Sequence, residues 1–145
     1  MKNKLIAIVW LPLALLLGGC FNATPSEQLM QQKIDARIQQ ETQGLFKVVA
    51  LKKLNAYQPD DNTYLAKLKL TLEATQSIDD MIEAVKNDPT LPPLQKMQSG
   101  LTLTAMKLAM PNVKAGDRVE STKVYRFIKT ENGWRLDKAV EDTSL

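Results

Sequence analysis

Tyr64-Leu65-Ala66-Lys67-Leu68-Lys69-Leu70-Thr71-Leu72-Glu73-Ala74 carries the clearest pattern in the chain. Tyr64, Ala66, Leu68, Leu70 and Leu72 fall on one side of an extended backbone; Leu65, Lys67, Lys69, Thr71 and Glu73 fall on the other. Successive side chains of a strand point to opposite faces, so this alternation predicts a strand with one face on a core and one in water. A less regular apolar run at residues 45–57 precedes it, and Lys52-Lys53 inside that run suggests a bulge or a change of register. Between the two, Gln58-Pro59-Asp60-Asp61-Asn62 is rich in turn formers, which makes the runs an antiparallel hairpin.

Helical signals stand on either side of this hairpin. Ser26 reads as an N-cap, Met30, Ile34 and Ile38 recur every fourth residue, and Gly44 is a stop signal. The rest of that helix is dense in glutamine (Gln28, Gln31, Gln32, Gln39, Gln40, Gln43), a face for a partner or, as the helix propensity of glutamine favours, a solvated one. Ser77 and Asp80 have capping-box spacing, Ile78, Met81, Ile82 and Val85 form a helical stripe, and Asp88-Pro89 ends it. Pro92-Pro93 opens a further helix and Pro111 stops it. Leu94, Met97, Leu101, Ala105 and Leu108 mark one face of it, broadened by Leu103, Met106 and Met110; an arc this wide predicts burial against a sheet.

Residues 119–130 and 134–140 close the chain as a second hairpin, with Asn132-Gly133 reading as a type I′ turn. The fold class is therefore α+β. An N-terminal helix precedes two antiparallel hairpins that form a curved sheet of about four strands, with two helices between the hairpins packed on it. Leu68, Leu70, Leu101 and Trp134 are expected to be buried. The stretch Tyr125-Arg126-Phe127-Ile128-Lys129-Thr130-Glu131-Asn132-Gly133-Trp134-Arg135-Leu136 resembles the final hairpin of small secreted α+β domains, NTF2-like and cystatin-like ones in particular. The order αββααββ departs from the NTF2-like pattern, which opens with more helix and ends with more strand.

The N-terminus has a different character. Lys2 and Lys4 precede 13 apolar residues at positions 5–17, and small residues follow, the layout of a secretory signal. A membrane-spanning helix needs about 20 apolar residues, and Pro12 interrupts this shorter run. Leu17-Gly18-Gly19-Cys20 resembles the lipobox of bacterial lipoproteins. That resemblance implies cleavage by signal peptidase II between Gly19 and Cys20, an S-diacylglycerol on Cys20 and an N-acyl group on the new terminus. One acyl chain binds a bilayer only marginally, at about 0.8 kcal/mol per buried methylene, whereas two or three chains on one residue make attachment effectively permanent. The expected organisation is a cleaved signal peptide at 1–19, a lipidated tether at 20–25, one α+β domain at 26–140 and a flexible tail at 141–145. Where two membranes are present, Asp after the lipidated cysteine usually means retention in the inner one. Phe21 here points to the outer membrane, facing the periplasm.

Composition bounds the chemistry. Cys20 is the single cysteine, so no intramolecular disulfide is possible and the domain is held by its apolar core. Lys and Arg number 19 against 16 acids; without Lys2 and Lys4 the count is 17 against 16, with no basic excess for nucleic acid. The chain has no histidine, which removes Ser-His and Cys-His nucleophilic sites and His-ligated metals, and no GxGxxG or GxxxxGK[ST] phosphate cradle. Asp60-Asp61, Asp79-Asp80 and Glu141-Asp142 could supply an acid/base pair, but they fall in a turn, at a helix start and in the tail, where acids have ordinary roles. Met81, Met97, Met106 and Met110 read as gap-fillers of a core in preference to a soft-metal site.

No catalytic, metal-ligating or cofactor-binding residue is assigned. The reading is a non-enzymatic envelope lipoprotein, held to the membrane by its lipid anchor, whose domain binds an envelope protein in an accessory, assembly or protective inhibitor role. The alternative is a small-ligand or lipid carrier with a cavity between the sheet and the Met-rich helix. Cys20→Ser is expected to accumulate as uncleaved precursor that incorporates no labelled fatty acid; normal maturation and membrane retention of this variant would contradict the anchor.

Overall fold

Caps and stops define the helices in the computed structural model, which describes residues 24–142. Ser26 Oγ accepts from Leu29 N at 3.2 Å and opens α1 (Glu27–Glu41). Pro25, just ahead of it, is buried, so packing begins before the cap. Gln43 and Gly44, at φ 55° and 82°, end α1 in a left-handed pair; Gly44 N donates to Gln39 O at 2.7 Å and Gln43 N to Gln40 O at 3.5 Å. These two bonds satisfy carbonyls the helix itself leaves open and send the chain back toward the sheet. Ser77 Oγ accepts from Asp80 N at 3.1 Å and donates to the Asp80 carboxylate at 2.6 Å, opening α2 (Ile78–Asn87). Pro93 takes the first position of α3 (Pro93–Ala109), where a missing N–H leaves no gap in the helix.

The strands β1 (Phe46–Asp60), β2 (Thr63–Ala74), β3 (Arg118–Thr130) and β4 (Gly133–Val140) form one antiparallel sheet in the order β1-β2-β3-β4. This is the α+β class expected, with one helix before the hairpins and two between them. The β1–β2 register slips at three places, one of them between Lys53 and Asn55, beside the lysine pair. At the β1–β2 turn, Asp60 Oδ1 accepts from Asn62 N at 2.7 Å; that bond, then the Thr63 hydroxyl, holds the Asp60 carboxyl below its usual value. The β3–β4 turn corrects the sequence expectation. A type I′ turn needs positive φ at both central residues. Here Gly133 has φ 94° and Asn132 does not share it. Thr130 pairs with Gly133, so the loop is Glu131-Asn132 and the glycine supplies a left-handed position after it.

One face of the sheet is core. Tyr64, Ala66, Leu68 and Leu70 of β2 are buried as the alternation predicts, the last three at 0% exposure. Across β3 and β4 they meet Tyr125, Phe127 and Trp134, whose ring stands edge-on to Tyr64 at 6.2 Å between centroids. α1 covers this face with Met30 and Ile34, both fully buried. Its Asp35 carboxylate accepts from Val48 N at 2.7 Å and ties the helix to the start of β1.

The opposite face meets water and is cross-linked by charge. Glu73 of β2 lies between Lys47 of β1 at 3.0 Å and Arg118 of β3 at 2.9 Å. Lys69 reaches Glu120 at 2.8 Å, Arg126 Nε reaches Asp137 at 2.6 Å, and Lys67 holds Asp142 at 2.8 Å. Opposite charges facing each other across strands support the pairing. Lys47, then Arg118, holds the Glu73 carboxyl below its usual value of 4.5; Arg126 does the same for Asp137 against 3.8.

The sign of the pH dependence follows from those directions. A folded-state pKa below the unfolded one gives stability that is complete above the unfolded value and is lost as pH falls through the folded value. Denaturant midpoints are thus expected to stay level from pH 7 to about 5 and to fall below about 4.5. The acid loss should be smaller in Glu73→Gln; an equal loss in that variant would show that the Lys47–Glu73–Arg118 bridge contributes nothing.

Candidate functional site

The chain leaves the sheet and returns to it at one residue. Ala74 N donates to Asp117 O at 2.9 Å, and Gly116 N donates to Ala74 O at 2.8 Å, with Gly116 at φ 85° making the return turn. Thr75 fastens the exit: its N–H donates to Leu45 O at 2.9 Å and its hydroxyl to Gly44 O at 2.7 Å. Everything between, α2 and α3 included, is anchored at the end of the sheet where α1 finishes.

α2 and α3 pack through a core of their own. Ile78 and Met81 of α2 and Leu103 of α3 are buried against Leu45, Phe46 and Ala74; Ile82, Val85, Met106, Met110 and Val113 pack partly buried around them. Polar contacts join the pair at its edge: Lys107 ion-pairs with Asp79, and Lys96 Nζ donates to Lys86 O at 3.1 Å.

Here the structure overturns an expectation. Leu94, Met97, Leu101 and Leu108 are 63%, 58%, 66% and 82% exposed, so neither Leu101 nor Met97 belongs to the core and this face of α3 is not buried against the sheet. Residues of a helix are about 100° apart. Leu103, Met106 and Met110 therefore lie on the side opposite Leu94, Leu101 and Leu108. The broad arc read from the sequence is two apolar faces, back to back. Periodicity locates both faces but does not say which one turns inward. The inner face was chosen by the residues that complement it, Ile78 and Met81 across and Phe46 beneath. Of the four methionines read as gap-fillers, Met81 is buried and Met106 and Met110 are half-buried in that role, whereas Met97 is exposed and does not fill it.

The outer face of α3 is thus a straight apolar stripe of Leu94, Met97, Leu101, Ala105 and Leu108 running the length of a 17-residue helix. It carries no charge: α3 has no acidic residue, and both its lysines are directed at α2. Contiguous exposed apolar surface of this kind marks interaction sites. The sequence held a signal for it, since no single helix face of an isolated sheet-packing element spans residues 94, 101 and 108 together with 103, 106 and 110.

Other polar groups are placed for structural work. A cleft of about 170 Å³ between α1 and β3–β4 is lined by Arg37, Glu41, Lys123, Tyr125 and Lys138. Arg37 there already bonds Glu41 at 3.4 Å and Asp137 O at 3.2 Å. Burial, then the Glu41 charge, pushes the Tyr125 phenol up from 10.0. The carboxylate pairs named in the sequence stay apart: Asp60 caps its turn, Asp79 and Asp80 serve α2, and Asp142 pairs with Lys67. Among the described residues no three His, Cys, Asp or Glu side chains are grouped to hold a metal, and no helix is long and apolar enough to cross a membrane. Gly19, Cys20 and the leader lie outside the described residues, as does most of the tail. Comparison with protein-family models, with curated proteins and with solved structures gives no match.

Two leucines two positions apart on α3 should therefore behave oppositely. Leu103→Ala, like Leu70→Ala on β2, is expected to cost about 2–5 kcal/mol in chemical denaturation, whereas Leu101→Ala should stay within about 0.5 kcal/mol of the parent. Comparable losses at 101 and 103 would place the stripe in the core after all.

Proposed function

We propose that this chain is a non-enzymatic bacterial envelope lipoprotein, anchored through lipid on Cys20 and facing the periplasm from the outer membrane, whose domain docks protein through the outer face of α3. The carrying observation is the exposure of Leu94, Met97, Leu101 and Leu108 in one uncharged row. A domain held together without disulfides gains stability by burying such residues; leaving four of them in water on a well-formed helix is what a docking face requires.

The position of the stripe fits the anchor. The lipidated end enters at Ser26, and α1, 15 residues and about 22 Å long, separates that end from Gly44. The α2–α3 pair is fastened at the Gly44 end through Thr75. A tether attached at one end of α1 thus presents the stripe from the other, away from the lipid surface. The carrier reading finds less support. Met30 and Ile34 fill the concave side of the sheet, and the Met-rich helix lies at its end and not across it.

The experiment is retrieval of the full, lipidated chain from detergent-solubilised outer membranes, parent beside Leu101→Asp. The parent is expected to bring down protein, itself included, in higher-order species that the variant loses while keeping its denaturation midpoint. Equal retrieval by both chains, or release of a small hydrophobic ligand with no associated protein, would overturn docking through α3.

A further inference from the structure

We propose that the cleft between α1 and the β3–β4 strands binds a small organic carboxylate, an anionic head on an apolar body the size of one ring. The site is separate from the α3 stripe and does not depend on protein docking there.

The cleft follows from side-chain size. In the sheet register Tyr125 of β3 lies between Ala66 of β2 and Ala139 of β4, so its ring has only a methyl on either side. Above it α1 brings Ile34, Arg37, Ile38 and Glu41, the spacing of one helix face. Ile34 is fully buried and Ile38 half-buried, and with Leu136 of β4 they form an apolar wall. The space left is about 170 Å³. An apolar cavity of about 150 Å³ takes a benzene ring.

Two polar groups in the cleft are left out of the bonding that occupies Arg37 and Glu41. Tyr125 is only 5% exposed, yet its hydroxyl has no hydrogen-bond partner among the described residues. No side-chain N or O shut off from solvent there lacks a partner, so the hydroxyl opens on the cleft that Tyr125 lines. The second group is the Lys123 ammonium. Lys123 pairs with Leu68, which puts it on the core face of the sheet, two residues from Tyr125. On the opposite face Lys47, Lys67 and Lys69 each hold a carboxylate. Lys123 and Lys138, both lining the cleft, hold none among the described residues.

Charge selects the ligand. Glu41 is the single acid lining the cleft, and Arg37 lies against it at 3.4 Å, which leaves two unmatched positive charges. An ammonium and an O–H side by side recognise an oxyanion through charge-assisted bonds. The phenol stays a donor well past neutral pH, because burial and then Glu41 raise it above 10.0. A bare inorganic anion would leave the wall of Ile38 and Leu136 in water. A neutral hydrocarbon would desolvate Lys123 with nothing in return. A carboxylate on an apolar body answers both.

Fluorine NMR of para-fluorobenzoate tests this on the full lipidated chain in detergent micelles, read as line broadening that unlabelled benzoate reverses. The parent should broaden the signal saturably. Lys123→Gln and Tyr125→Phe each remove one bond to the charged head and should weaken binding about tenfold or more at an unchanged denaturation midpoint. Lys53→Gln, on the far strand β1, should bind as the parent does. Benzyl alcohol has the body without the charge and inorganic phosphate the charge without the body; neither should displace the probe. Equal binding by the parent, Lys123→Gln and Tyr125→Phe overturns the proposal, as does displacement by benzyl alcohol or by phosphate. Broadening by the parent no greater than by empty micelles overturns it too. Leu101→Asp should keep full binding, so failure of this site and failure of docking through α3 are read separately.

Discussion

Four strands need two faces accounted for, and the described chain offers one helix to cover them. That shortage organises the rest of the molecule. α1 is spent on the face where β2 alternates, with Met30 and Ile34 reaching the floor formed by Ala66, Leu68 and Leu70. The other face is left to water and is held by charge across the strands, with Glu73 joining β1 to β3. The second core, built by α2 and α3, does not double the cover. It caps the end of the sheet, where Leu45, Phe46 and Ala74 would otherwise be open.

Much of this was legible because local signals agreed with the global solution. Ser26 and Ser77 each cap a helix, Pro93 starts one, and the period-2 row from Tyr64 to Leu70 is a half-buried strand, all as read from the sequence. The misreadings are of two physical kinds. Asn132-Gly133 was assigned a I′ turn from its residue pair, but the loop closed one position earlier and used only the glycine for a left-handed residue. Turn type is decided by strand register, which a dipeptide does not contain.

The second kind concerns α3 and is the more informative. An apolar pattern states that a face avoids water, not whether the neighbour that shields it lies in the same chain. Leu103 and Leu101 have the same composition and opposite surroundings, 0% and 66% exposed. The candidate site was therefore present in the sequence as an excess: more apolar surface on one helix than a single packing partner could cover. Its identity emerged only when Ile78, Met81 and Phe46 were seen to claim one side.

The clasp at Ala74 has a consequence of another sort. Because Ala74 exchanges backbone bonds with Gly116 and Asp117, the strands β2 and β3 are already neighbours at the point where the helices branch off. The helical pair is topologically a detour inside what would otherwise be a plain meander of four strands. A detour closed at its base can be lengthened, shortened or exchanged with little disturbance to the register on either side, since loop-closure entropy grows only slowly with length. The sheet with α1 is then a chassis, and α2–α3 a cassette mounted on it through the core it shares with Leu45, Phe46 and Ala74.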